Sequence, residues 1–464
     1  MHLERASRAN GDAHGTDRNW NRERKIRKLA LISDVHIFDA VGVRDEPVAQ
    51  FLNLRALGLL NILFLRGPDK FSERVLLAAM RDMREVEGVD HLILAGDITN
   101  LALECEYAKA LQAFELFCGG DASRITAVPG NHDIYNKYEA SRTPTLFAQY
   151  FGQYAHSDVV HPRHLPHASS DDADAWNGSR WADFHRGGRR GRRWRRQRQE
   201  TCLQETMEAA AASASSAAAV LTADADATAT ARNGDRRDRV SARESVPGDD
   251  YPFVQLRGDV LLVGLNTAIP GTAQGEVGAW QWRAAWEMMR SARCRELCSR
   301  AKLRVLVLHH PAQNPDVRGL PWIRDLGHDL KDWVDVAPFS QEFGIDVVVH
   351  GHNHVPYIGW LAGARDTLVV EGGSGTLLDT KRPDRMARYT VFELGDHGEL
   401  ERIYARVWNY DQYGSGAEMD ARDGAVQPDW FRTEHIAVPP KPDEDVVLHS
   451  AGLRKRTLFG GLPF

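Results

Sequence analysis

Six short apolar runs in this chain stop abruptly at Asp, Asn or His, and that pattern narrows the fold more than any other feature. They are KLALISDVH (28–36), HLILAGD (91–97), RITAVPGNHD (124–133), VLLVGLNT (260–267), LRVLVLHHP (303–311) and IDVVVHGHNH (345–354). A nearly continuous run of Val, Ile, Leu and Ala reads as a strand covered on both faces. Helical patterns lie between these runs. SERVLLAAMRDMREV opens at Ser72, which has the chemistry of an N-cap, and ECEYAKALQAFELF carries apolar residues at helical spacing. Strand–helix alternation predicts a layered α/β core. Farther on, RYTVFELGD and ELERIYARVWNYD predict a hairpin about Gly395 to Gly398.

In open α/β sheets ligand sites form at the carboxyl ends of strands. Here those ends deliver Asp34 and His36, Asp97, Asn131 and His132, His309 or His310, and His352 and His354. Asp34 and His36 are two residues apart, so both side chains can face one way, and His352 and His354 repeat that spacing. With Asp97, Asn131 and His309 they make seven N and O donors. A single ion takes four to six ligands, so seven suit two ions that share a carboxylate. N/O ligation without thiolate suits Mn, Fe, Zn or Co. Two such ions clamp the attacking and leaving oxygens of an in-line phosphoryl displacement. A strand-terminal His taken alone is usually structural. The joint order DxH, GD, GNHD, HHP, GHxH is very improbable by chance.

That order, carried by SDVH, AGDITN, VPGNHD, LHHP and VHGHNH, resembles the calcineurin-like metallophosphoesterase superfamily and spans about residues 28 to 355. GLNTAIP and GEVGAWQW also resemble a bacterial branch that includes the class III cyclic-nucleotide phosphodiesterases. The resemblance implies an α/β fold, a four-layer α/β/β/α sandwich, with a two-metal site. By position it makes Asp34, His36 and His354 ligands of the first ion, Asp97 the bridge, and Asn131, His309 and His352 ligands of the second. It makes His132 the residue that contacts the phosphate and protonates or stabilises the leaving oxygen, work suited to a neutral His near pH 7. Asn100 stands where protein phosphatases of the superfamily carry an Asp that orients this His, and it departs from their GDxxDRG pattern.

The implied chemistry is phosphodiester hydrolysis by a metal-bridging hydroxide on a small phosphoester, a cyclic nucleotide among the candidates. The alternatives are a phosphomonoesterase or a lipid-linked pyrophosphatase with the same site. A non-enzymatic scaffold is disfavoured because every ligand position is filled. Cofactors are two divalent or trivalent ions, Mn, Fe or Zn.

GNHD precedes a low-complexity block, and HHP and GHxH follow it, so both flanks belong to one domain. The expected organisation is a polar tail (1–26), a first part of the core (27–162), an insertion (163–250), a second part (251–410) and a C-terminal extension (411–464) that wraps the surface or is loose. The insertion is rich in Arg, Ala, Asp and Ser and lacks apolar periodicity. It is expected to stay disordered, at a closure cost that grows slowly with length. Arg186 to Arg198 holds eight arginines and one Trp. A solvated excursion is preferred over nucleic-acid or anionic-membrane contact.

The net charge of -6 gives no global basic field. The five cysteines form no CxxC pair, and Cys294 and Cys298 read as helix thiols, not ligands. The polar N-terminus lacks a secretory h-region. The chain is therefore expected in the cytoplasm. Phe51 to Gly67, interrupted by Asn53, Arg55, Asn61 and Arg66, reads as an amphipathic core helix, with peripheral membrane association as the second reading. Trp280, Trp282 and Trp286 are expected in the core.

Overall fold

The apolar runs pair into two six-stranded sheets in a computed structural model that describes residues 25–39, 42–45, 70–135, 145–162, 251–313, 329–416 and 425–442. The insertion, Phe51 to Gly67, Arg186 to Arg198 and nearly all of the N-terminal tail lie outside the described residues. The strands in chain order are β1 (Lys28–Ile32), β2 (His91–Ala95), β3 (Ile125–Val128), β4 (Phe253–Arg257), β5 (Val260–Gly264), β6 (Leu303–Val307), β7 (Val347–His350), β8 (Tyr357–Leu361), β9 (Ala364–Glu371), β10 (Arg388–Leu394), β11 (Leu400–Trp408) and β12 (Phe431–His435). The first sheet runs β12-β11-β10-β1-β2-β3 and the second β4-β5-β6-β7-β9-β8. Neighbours β1, β2 and β3 are parallel, as are β5, β6, β7 and β9.

Side-chain alternation builds the layers. From the second sheet Val260, Leu262, Val305, Val307, Val347 and Val349 join one core with the residues of β1, β2 and β3. Their neighbours Leu261, Val263, Leu306 and Val348 join a second core. That second core is closed by helices Ala279–Arg290, Ala292–Arg300 and Val336–Phe343, through Trp282, Trp286, Leu297 and Phe339. Over the first sheet lie α1 (Glu73–Arg81) and α2 (Glu104–Cys118), which bury Leu76, Met80, Tyr107 and Phe114. This is the four-layer α/β/β/α arrangement. Each fully buried Leu, Ile or Val contributes about 1.5–3 kcal/mol, so both cores reward this registration of the sheets.

Ser72 caps α1 by accepting from Val75 N, as its chemistry predicts. The hairpin about Gly395 to Gly398 joins β10 to β11, with Gly395 N donating to Glu399 O at 2.8 Å. Two expectations are corrected. Trp282 and Trp286 are buried, but Trp280 is 48% exposed, edge-on to His161. Within the stretch after residue 411, Phe431–His435 does not lie loose on the surface. It completes the first sheet as an edge strand beside β11.

Candidate metal centre

The parallel strands of both sheets end on one side, and the loops beyond them interlock. Asp34 N donates to Gly96 O and His36 N to Asp97 O, each at 3.0 Å, and Gly351 N to His309 O at 3.1 Å. His309 Nδ1 reaches from the second sheet to Ala95 O at 2.7 Å, while His352 N meets both oxygens of Asp34. The two-residue spacing works differently from simple strand alternation. β1 ends at Ile32 and β7 at His350, so both pairs lie beyond their strands. Asp34, His36, Asp97, His352 and His354 instead adopt left-handed backbone, with φ from 45° to 82°. Such conformations cost about 1–3 kcal/mol each and concentrate at functional sites. Only one other described non-glycine residue, Ala102, shares them.

The side chains converge in two groups. In the first, His354 Nε2 lies 2.9 Å from His36 Nε2 and 3.3 Å from Asp34 Oδ1. In the second, His309 Nε2 lies 3.2 Å from Asn131 Oδ1 and 3.3 Å from His352 Nδ1. Asp97 stands between them. Its Oδ2 is 3.7 Å from His36 Nε2 and its Oδ1 is 3.4 Å from His309 Nε2. Ligand atoms about 2.1 Å from a common ion lie roughly 3.0–3.4 Å apart in octahedral or tetrahedral geometry. The donor spacing fits that requirement in both groups, so these residues could hold two cations with Asp97 as the shared ligand. His309 Nδ1 donates to a carbonyl, which leaves the Nε2 lone pair for a metal, the usual outer-shell arrangement.

The electrostatics agree with the donor chemistry. Asp34, Asp97, His36, His309 and His352 are buried. Among the described residues no Lys or Arg pairs with Asp34 or Asp97. Burial opposes ionisation of Asp97, but His309, His132 and His36 outweigh it and hold the carboxyl well below its usual range. Burial likewise opposes a charged His309, yet Asp97 raises it to about 9. A proton and a metal ion compete for such an imidazole.

His132 sits beside the first group, its ring 4.7 Å from that of His36. Its main-chain N–H donates to Asp97 Oδ1 at 2.8 Å. Its Nδ1 donates to the Asn100 carbonyl at 2.7 Å, so the Nδ1 proton is fixed there and Nε2 presents a lone pair in the neutral ring and a proton in the imidazolium. The side chain of Asn100 was the expected partner; its backbone oxygen takes that place.

Two features escape motif reasoning, Asp133 and residues 372–376, and the geometry also distinguishes His309 from His310. Asp133, the last residue of GNHD, is buried and accepts from Ile98 N, Thr99 N, Thr99 Oγ1 and Gly130 N, tying the GD loop to the GNH loop. Burial, then Asp97, raise its carboxyl to about 6 against those hydrogen bonds. His310 lies near His309 and His352, within ligand distance. Both its nitrogens are engaged elsewhere, Nδ1 with Thr267 Oγ1 at 2.7 Å and Nε2 with Ala273 O at 3.2 Å, so His309 faces the donors and His310 anchors the following loop. Residues 372–376, GGSGT, brace the DxH loop: Ser374 Oγ donates to Asp34 O at 2.6 Å and Thr376 Oγ1 to Val35 O at 2.6 Å. The motif glycines also have a steric role, since a Cβ on Gly130 would strike Asp97 and one on Gly351 would strike Asp34.

Comparison with known proteins agrees with this reading. The family model for calcineurin-like phosphoesterases matches residues 27–202. No curated protein sequence matches. Similar solved structures include a dimetal phosphatase from Danio rerio, at 11% identity and TM-score 0.41, covering 83% of this chain and 96% of that one. A purple acid phosphatase from yellow lupin (Lupinus luteus) seeds aligns at 8% identity and TM-score 0.39, covering 84% of this chain but only 52% of its own. A 5'-nucleotidase from Candida albicans aligns at 11% identity and TM-score 0.35, over 86% and 56% of the two chains. The matched residues contain DxH, GD and GNHD, and the strand ends beyond them supply the remaining donors, so over residues 27–202 the chain is similar to the calcineurin-like phosphoesterases.

Proposed function

We propose that this centre hydrolyses a phosphodiester, with a cyclic nucleotide as the leading substrate. The observation that carries the reading is Asp97, whose two oxygens face two separate donor groups while its Oδ1 also holds the His132 backbone. Two ions held there would supply charge neutralisation at phosphorus and acidify water. The all-N/O donor set favours Mn, Fe or Zn.

The chain's own groups do the rest. The Asn100 carbonyl holds the Nδ1 proton of His132, so Nε2 is the nitrogen that takes up a proton and, as imidazolium, delivers it to a leaving oxygen. The same reading places the protein in the cytoplasm, with the 163–250 insertion a passive excursion and Arg186 to Arg198 solvated. Among the described residues no helix is long and apolar enough to cross a membrane.

The test is a hydrolysis panel with Mn²⁺ comparing bis-p-nitrophenyl phosphate, p-nitrophenyl phosphate, cyclic AMP and a lipid pyrophosphate. Faster turnover of the two diesters supports the proposal. A clear preference for the monoester or the pyrophosphate overturns it.

A further inference from the structure

Three sulfur atoms meet on the helical layer over the second sheet. Helices α3 (Ala279–Arg290) and α4 (Ala292–Arg300) bring Met289 Sδ within 3.5 Å of Cys294 Sγ, and Cys294 Sγ lies 3.9 Å from Cys298 Sγ. Met289 and Cys294 are buried, while Cys298 is half-buried and gives access from outside. With metal–sulfur bonds of about 2.3 Å, sulfurs that share one ion lie roughly 3.8–4.0 Å apart. The Cys294–Cys298 distance falls in that range, and the Met289–Cys294 distance is a little shorter.

We propose that Met289, Cys294 and Cys298 form a second metal site, selective for a soft monovalent cation such as Cu(I). Thiolate and thioether donors select soft ions. Zinc takes four ligands, and among the described residues no His, Asp or Glu joins these cysteines in a ligand group. Charge also favours a monovalent ion. Two thiolates and one Cu(I) leave a single negative charge, and the Arg304 guanidinium lies beside them, donating to Cys298 O at 3.4 Å and Phe343 O at 2.8 Å. The hydrogen bond from Cys294 lowers the Cys298 thiol to about 7, with help from Arg304 and against burial, while the same hydrogen bond and burial push the Cys294 thiol upward, so Cys298 loses its proton first and the Cys294 proton leaves as the metal binds. A disulfide fits less well. It needs about 2.05 Å between the sulfurs, it would distort the helix that holds them apart, and it gives Met289 no part.

The test titrates the full-length, manganese-loaded protein anaerobically with Cu(I) buffered by a chromophoric chelator. Wild type should take up one more equivalent than Cys298→Ser. Met289→Leu should keep that equivalent but bind it at least ~10-fold more weakly, the loss seen even for outer-shell changes. In wild type, Cu(I) should shield Cys294 and Cys298 from alkylation, as located by peptide mass; this arm needs no variant. Equal uptake by folded wild type and Cys298→Ser, or unchanged alkylation of both thiols, overturns the site. Unchanged affinity in Met289→Leu removes the thioether from it.

Discussion

Asp82 and Asp97 are both fully buried carboxylates of the first half of the chain, and they have opposite surroundings. Asp82 lies where α1 widens into a π-helical turn (Asp82–Val86). Arg406 grips it with both arms, Nε at 2.9 Å and Nη2 at 2.7 Å, and Tyr389 OH donates to it as well. Glu87 beside it is matched by Arg406 and Lys28. Burial opposes both charges: at Arg406 Asp82 outweighs it and pushes the guanidinium upward, while at Asp82 burial outweighs Arg406 and Tyr389 and raises the carboxyl. This cluster balances its own charge. Around Asp97 there are imidazoles, a second carboxylate and an amide, all presenting lone pairs, and no fixed cation among the described residues. A buried charge must be paired. The first cluster pairs inside the chain and holds helix to sheet. The second presents donors that could hold cations from outside, which is what makes it a candidate site.

Substitution at each carboxylate should therefore have a different consequence. Asp97→Ala should abolish turnover and lose metal while the fold survives, a loss on the scale seen when one member of a catalytic unit is removed. Near-normal turnover in metal-replete Asp97→Ala would erase the distinction. His132→Ala should keep its metals and slow turnover ~10²- to 10⁴-fold, as for loss of a general acid. The loss should shrink when the leaving group is p-nitrophenolate, which needs little protonation. An equal loss for good and poor leaving groups would reduce His132 to a phosphate contact.

At the other cluster, Asp82→Ala strands a buried Arg406 and should cost about 3–5 kcal/mol in denaturant unfolding. The folded fraction should keep its turnover and metal content. Loss of metal there would show the two clusters are not separable.

The pH response sharpens the contrast further. In metal-free protein His309 is raised to about 9, above the unfolded value of about 6.5. The stability it supplies is complete below about 6.5 and is lost as pH rises through about 9. Thermal unfolding of the metal-free protein should weaken across that window. Metal affinity should rise across it, because binding expels the proton. A flat response of both would contradict the assignment of His309.

The smallest effect belongs to the insertion. Replacing 163–249 by a short Gly/Ser linker should leave metal content and diester turnover nearly unchanged, with a stability gain of ~0.6 kcal/mol per halving of loop length. Loss of turnover would mean that the segment takes part in the site.

How much of this was legible in the sequence follows from the same comparison. The candidate residues at the strand ends stand out because an apolar run ending in Asp, Asn or His is a local signal. Asp82 and Arg406 are 324 residues apart, and nothing in DMREV or YARVW announces their pairing. Asp133 closes GNHD without a metal-binding part, because its task is to accept four hydrogen bonds from neighbouring loops, which spacing does not encode. Trp280 followed the helical pattern of Trp282 and Trp286, yet it sits in the first turn and points outward. The edge strand Phe431–His435 alternates too weakly to be seen, since four of its five side chains are exposed.

The central claim is that Asp97 bridges two cations. Metal-free protein titrated with Mn²⁺ and followed by electron paramagnetic resonance tests it most directly. The account predicts two ions per chain and a spectrum of exchange-coupled manganese, with coupling lost in Asp97→Asn. One ion per chain, or two ions whose signals stay uncoupled in the wild type, would contradict it.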